Sequence, residues 1–187
     1  MDDRKEMTLD ELYKEWNSAL STAIVNTSGS TGKPKSMRVE KSRMIESAKM
    51  TCSFLGLTSD DSALLCMPLR YIAGKMVVVR TLVSGMRLIS IPPTSHPLKD
   101  LEDIPTFAAM VPMQVFNSLS VPEEADKLKR IKNLIIGGGP VNDLLYSKLQ
   151  HFPNAVWSTY GMTETLSHIA MRRLNGPTAS EYYIPLD

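Results

Sequence analysis

The residues best suited to chemistry are Thr27-Ser28-Gly29-Ser30-Thr31-Gly32-Lys33-Pro34-Lys35, directly after the apolar run Thr22-Ala23-Ile24-Val25. The run reads as a strand and the stretch behind it as a loop that holds phosphates. Gly29 and Gly32 admit backbone conformations that a β-carbon forbids, so successive amides can turn toward one anion. Ser28, Ser30 and Thr31 add hydroxyl donors, and Lys33 and Lys35 add positive charge. Pro34 stiffens the exit and biases it away from a helix. The spacing is not that of the Walker NTPases, which place four residues between the glycines and Ser or Thr after the lysine. Here Ser30 and Thr31 alone separate Gly29 from Gly32, and Pro34 follows Lys33.

Two more strings stand out downstream. In Ile135-Ile136-Gly137-Gly138-Gly139-Pro140, the glycines permit close backbone approach to a flat ligand. In Tyr160-Gly161-Met162-Thr163-Glu164-Thr165, Tyr160 offers a flat stacking face and Gly161 lets the chain turn tightly. Taken singly, each has a plainer reading: a mobile loop with solvated lysines, a strand-to-helix turn, a surface turn with a solvated glutamate.

The elements that must position these loops alternate along the chain. Thr8 and Glu11 have capping-box spacing ahead of Leu9, Leu12, Tyr13 and Trp16, which predicts an amphipathic packing helix. Strand 22–25 and a return strand at Met37-Arg38-Val39 flank the phosphate loop. Ser42 is expected to cap a helix running to about Leu55, with Met44, Ala48, Cys52 and Leu55 on one face. A buried strand at 63–67, a helix from about Gly74 to Ser84 stopped by Gly85, and a strand at 86–91 follow. Pro92-Pro93-Thr94-Ser95-His96-Pro97 is the best internal seam. Strands at 106–111, 131–136 and 155–159 then alternate with helices at 113–119 and around Val141, Leu144, Leu145 and Leu149. His168 falls in a further alternating strand. Such alternation predicts an α/β fold, parallel sheets flanked by helices, with ligands at the carboxyl ends of the strands. All three strings fall at such ends. The organisation expected is a helical lead-in over 1–20 and one α/β core over 21–187.

Composition narrows the partners. The chain has 187 residues, 43% hydrophobic, and its 21 basic and 20 acidic side chains leave a net charge of +1. That suits one globular unit with a proper core and gives no polyanion-binding footprint, so nucleic acid is not an expected partner. Cys52 and Cys66 lie in apolar patterns without metal-ligand spacing and read as buried thiols of a reducing compartment. No apolar run approaches a membrane span and the N-terminus is charged, so neither a membrane nor a signal peptide is expected and the location is cytoplasmic. A homo-oligomer is compatible with this composition.

The three strings together resemble the adenylate-forming enzymes, the superfamily of acyl- and aryl-CoA ligases, adenylation domains of peptide synthetases and luciferases. "TSGSTGKPK" resembles that family's phosphate loop, "IIGGGP" its adenine-side loop and "YGMTET" its second signature, in the family's order over residues 22 to 172. The resemblance implies a partial large domain, with a later ribose-binding aspartate, a hinge and a small domain carrying a catalytic lysine outside these residues. It implies ATP, Mg²⁺ and coenzyme A as co-substrate, and the activation of a small-molecule carboxylic acid. It places Thr27, Ser28, Gly29, Ser30, Thr31, Gly32, Lys33 and Lys35 around the β- and γ-phosphates. Gly138, Gly139 and Pro140, with Tyr160, Gly161 and Met162, surround the adenine; Thr163 meets the α-phosphate and Glu164 the Mg²⁺. Ser36 departs from the pattern, where glycine is usual.

"MPLRYIAGKMVVVR" (Met67 to Arg80) resembles the acyl-pocket segment, with Arg70 and Tyr71 where Phe and His are usual. Among the family, o-succinylbenzoate–CoA ligases are the most similar. They carry a basic residue at the position of Arg80, facing the carboxylate that is not activated. Lys75 competes for that role, and a solvated Arg80 is the plain alternative. Tyr71 and Ser167 complete the substrate-side candidates. A fatty, aryl or amino acid keeps the same chemistry, and a non-catalytic nucleotide-binding module is the reading from another class.

Overall fold

The computed structural model describes residues 6–26 and 35–186, so the Thr27–Pro34 loop lies outside the described residues and its two ends lie within them. Helix α1 (Leu9–Asn17) opens on the capping box read from the sequence. The Glu11 amide donates to Thr8 Oγ1 at 3.2 Å and the Thr8 amide donates to the Glu11 carboxylate at 2.9 Å. Strands β1 (Thr22–Asn26) and β2 (Ser36–Glu40) form an antiparallel hairpin, a two-stranded sheet of their own.

The principal sheet has seven strands in the order β4-β3-β5-β6-β7-β8-β9. Strands β3 (Ser62–Leu65), β4 (Arg87–Ser90), β5 (Phe107–Met110), β6 (Asn133–Ile136) and β7 (Ala155–Gly161) are parallel neighbours. The last two, β8 (His168–Arg173) and β9 (Ile184–Pro185), run antiparallel. β3, β5 and β6 are buried at every position, as parallel strands covered on both faces must be. The proline-rich residues 92–97, expected as a seam, connect β4 to β5, two strands of this one sheet.

Helices α2 (Lys41–Leu55) and α3 (Ile72–Ser84) pack on each other, and both end on glycines in the left-handed conformation. Gly85 (φ 77°) stops α3 where the sequence indicates, a conformation that any β-carbon would strain. α4 (Pro112–Leu119), α5 (Pro122–Arg130) and α6 (Asp143–Leu149) fill the later crossovers. One expectation fails locally: α2 begins two residues early, Glu40 holds the N-cap position, and Ser42 lies inside the first turn without capping it. α5 also escapes the hydrophobic pattern, because Glu124 occupies a buried position of its inner face with Ala125 and Leu128.

Two clusters make the core. The larger lies on the seven-stranded sheet; the smaller joins Ala23, Val25 and Val39 of the hairpin to Met44, Ala48, Ile72, Met76 and Val79 of α2 and α3. Cys52 and Cys66 are buried free thiols, and burial pushes Cys66 up to about 12.

Candidate active site

The Tyr160–Thr165 string is a strand end folded back on itself. β7 and β8 pair with a register shift at Tyr160/Gly161, and Thr163–Thr165 form a single 3₁₀ turn between them. Gly161 is required by space: a β-carbon there would overlap the Ser167 carbonyl oxygen and the His168 backbone. Thr165 closes the turn, accepting the Met162 amide at 2.9 Å and donating to the Ser167 carbonyl at 2.7 Å. Leu166 pays a conformational cost at φ 68° and packs its side chain into the hairpin cluster. Tyr160, Met162 and Glu164 are exposed and Thr163 is half-buried, so the string offers its polar groups to solvent.

The Gly137–Pro140 string follows β6, the parallel neighbour of β7, so the two loops leave the sheet side by side. Gly138 has φ 76°, and Gly139 lies against Pro112. The exposed Tyr160 ring is 5.9 Å from that of Tyr183, whose hydroxyl bonds Ser158 at 2.8 Å.

The ends of the third string reach the same edge. Asn26 bridges to Tyr71, and its amide donates to the Arg70 carbonyl at 3.3 Å. Arg70 and Tyr71 lie just beyond the carboxyl end of β3 and directly before α3. Ser36 Oγ donates to Asn26 Oδ1 at 2.6 Å, joining the two ends of the Thr27–Lys35 loop. Thus Asn26, the Gly137–Pro140 loop and the Thr163–Thr165 turn lie at or beside the carboxyl ends of β3, β6 and β7. Of the residues expected to hold phosphate, Lys35 is described; Thr27, Ser28, Gly29, Ser30, Thr31, Gly32 and Lys33 lie outside the described residues.

The substrate-side candidates separate by their partners. Tyr71 caps α3 by its backbone, with the Arg70 guanidinium 4.7 Å from its ring centre. Lys75 is buried and its ammonium meets Glu15 of α1 at 2.5 Å, so its charge is matched inside the fold. Arg80 is equally buried, with relative exposure 2%, and no carboxylate among the described residues pairs with it. Its Nη2 donates to Ser167 Oγ at 2.7 Å, while its buried Nε has no hydrogen-bond partner among the described residues. Desolvation pulls its pKa down to about 10, which still leaves it charged at neutral pH.

Beside Ser167 lies His168, which the sequence places in an alternating strand. Its Nδ1 is 3.4 Å from Ser167 Oγ and its Nε2 is 3.0 Å from Thr51 Oγ1 on α2. Desolvation, with Arg80 adding to it, holds its pKa down at about 2, so the ring is neutral. An alternation pattern can show that His168 points inward, but not that Thr51 waits 117 positions away.

The glycine loop and the acidic turn thus lie at the carboxyl ends of parallel strands, the end at which open α/β sheets take their ligands. The family model described as AMP-binding enzyme matches residues 5–184, and the chain belongs to that adenylate-forming family. The curated relatives are narrower in name. A 2-succinylbenzoate–CoA ligase of Enterococcus faecalis is 33% identical over 150 residues, 79% of this chain and 31% of the relative. One of Bacillus mycoides is 28% identical over 162 residues, covering 84% and 34%. Among solved structures, an acyl-CoA synthetase (AMP-forming)/AMP-acid ligase II-like protein from Dyadobacter fermentans superposes with a TM-score of 0.87 at 38% identity. That match covers 92% of this chain and 50% of the other. O-succinylbenzoate coenzyme A synthetase from Bacillus subtilis, in complex with ATP and magnesium ion, gives 0.69 at 26% identity, covering 87% and 35%. The chain spans about a third of the length of these curated relatives. No helix among the described residues is long and apolar enough to cross a membrane.

Proposed function

We propose that residues 21–187 are the nucleotide-binding core of an o-succinylbenzoate–CoA ligase, with 1–20 as a helical lead-in. In this reading a carboxylate oxygen of the acid attacks the α-phosphorus of ATP. The bond to the bridging oxygen breaks and pyrophosphate leaves. The coenzyme A thiol, losing its proton, then attacks the acyl carbon and AMP leaves with the electron pair.

The residues of the carboxyl edge take the roles that this chemistry requires. Thr27 to Lys35 hold the β- and γ-phosphates through amides, hydroxyls and the charge of Lys33 and Lys35. Gly138, Gly139 and Pro140 wall the adenine that stacks on Tyr160, and Gly161 and Met162 carry the chain past it. Thr163 donates its hydroxyl to the α-phosphate. Glu164 is an exposed single carboxylate and no cluster of three acidic, His or Cys side chains exists among the described residues. That donor set fits Mg²⁺ held mainly by phosphate and water. Bound there, the ion supplies neutralisation of phosphate charge.

One observation carries the choice of acid: Arg80 is a buried cation without an acidic partner among the described residues. A buried charge is tolerated when something pairs with it, and the second carboxylate of a dicarboxylic acid would. Ser167 Oγ accepts from Arg80 Nη2 at 2.7 Å and holds the guanidinium in place, while Tyr71 stands at the start of the same helix. Lys75 is the weaker candidate, since Glu15 already neutralises it. In the whole enzyme, Arg80→Ala should raise KM for o-succinylbenzoate about 30-fold or more, with KM for ATP unchanged. An unchanged KM for the acid, or equal use of monocarboxylic acids by the unmodified enzyme, would refute the assignment. The Dyadobacter match at 38% identity, whose name specifies no acid, favours as a second reading the same reaction on another acid.

A further inference from the structure

Four side chains from three elements form one buried line: Arg80 of α3, Ser167 and His168 before and in β8, and Thr51 of α2. Proton bookkeeping decides how it runs. Arg80 can only donate, so Ser167 Oγ accepts at 2.7 Å. Thr51 Oγ1 lies 3.1 Å from the Ser47 carbonyl one helical turn back, which can only accept. The single Thr51 proton directed there leaves its oxygen to accept from His168 Nε2. The field of Arg80 favours the same direction. A lone pair on Nδ1 facing the guanidinium side is attracted, whereas an Nδ1–H would set a positive dipole end toward a cation. The charged groups of α2 near His168, Arg43 and Glu46, line with it an open groove of about 320 Å³. They are exposed to solvent and screened there.

We infer that His168 is a positioning residue: Thr51 fixes it as the Nε2–H tautomer, its bare Nδ1 takes the Ser167 proton, and the Ser167 oxygen is thereby turned to hold Arg80. The line is Arg80 N–H to Ser167 O–H to His168 Nδ1, and His168 Nε2–H to Thr51 O–H to the Ser47 carbonyl. Each member donates once toward α2, so reversing any link leaves two donors or two acceptors face to face. The helix α2 thus fixes the aim of a guanidinium on α3 that it does not itself bond. This assignment rests on the ligase reading only for what Arg80 binds; the hydrogen-bond direction does not.

Long-range ¹H–¹⁵N correlation on the labelled 187-residue chain reads the tautomer directly. The expected spectrum has His168 protonated at Nε2 and bare at Nδ1, with no titration between about pH 5 and 8. Protonation at Nδ1, or a ring that titrates in that range, overturns the assignment. Thr51→Val should convert the ring to mixed tautomers, and a spectrum unchanged by it also overturns the assignment. In the whole enzyme, His168→Gln keeps one donor and one acceptor and should leave KM for the acid within about twofold. His168→Leu should raise it about tenfold with KM for ATP unchanged. Equal KM in both variants argues that His168 only fills space. If the tautomer is as stated and Arg80→Ala leaves KM for the acid unchanged, the ligase reading fails and this one stands.

Discussion

Glu15→Ala should be among the most damaging single substitutions outside the sheet, although Glu15 lies on the short first helix. The Lys75 side chain is 1% exposed and Glu15 17%, and their charged atoms are 2.5 Å apart. Glu15 Oε1 also accepts the Ile24 amide at 2.7 Å, so the same carboxylate ties α1 to both β1 and α3. Removing it leaves an ammonium buried without a counter-charge, which costs about 3–5 kcal/mol. At about 2–4 °C per kcal/mol for a domain of this size, Tm should fall by roughly 6–20 °C. The exposed pair Lys49–Glu46, with side chains 57% and 66% exposed, is the control; Glu46→Ala should cost under about 1 kcal/mol. Thermal melts followed by circular dichroism read both. The double variant Glu15→Leu/Lys75→Met should regain most of the loss, because an apolar pair needs no counter-charge. If Glu15→Ala shifts Tm no more than Glu46→Ala, Lys75 is not held by Glu15, and it returns as a rival to Arg80.

Two further perturbations test the turn and its surroundings. Gly161→Ala drives a methyl into the Ser167 carbonyl and the His168 backbone, and should cost about 1–3 kcal/mol in urea unfolding; a neutral result would mean that the β7–β8 turn is differently built. His168 has its pKa held at about 2 in the fold against about 6.5 when unfolded, so below pH 6.5 the unfolded chain binds the extra proton. Stability therefore falls as pH falls through that window, by up to about 1.4 kcal/mol per pH unit, and His168→Gln should remove that part of the slope. Identical acid limbs for the two proteins would show that His168 is not buried neutral.

What the sequence made legible was local chemistry. Thr8 with Glu11, Gly85 after α3, and the Gly-rich strand ends each carry their structural meaning in their own residue types. The alternation of apolar runs likewise disclosed parallel strands with loops at their carboxyl ends. The α2 start was misplaced because Ser42 looks like a cap, yet the chain is already helical at Lys41, so Ser42 lacks the extended backbone that a cap needs. α5 stayed hidden because buried Glu124 breaks its apolar stripe, being satisfied by Ser118 at 2.9 Å and His96 at 2.8 Å, neither of them near in pattern. The site split in the same way. Arg80 and Lys75 look alike as cations on one helix, and only the arrival of Glu15 from α1 distinguishes them. His168 reads as one more inward strand residue until Thr51 and Ser167 are brought to its two nitrogens.

The account depends on a single nucleotide spanning the Thr27–Lys35 loop and the Thr163–Thr165 turn. Calorimetric titration of the 187-residue chain with ATP and Mg²⁺, alone and as Lys33→Ala and Thr163→Val, measures this directly. One site per chain is predicted, with Lys33→Ala weakening it about tenfold or more, Thr163→Val weakening the same site, and melting curves unchanged. Two independent sites, or full affinity in either variant, would contradict it.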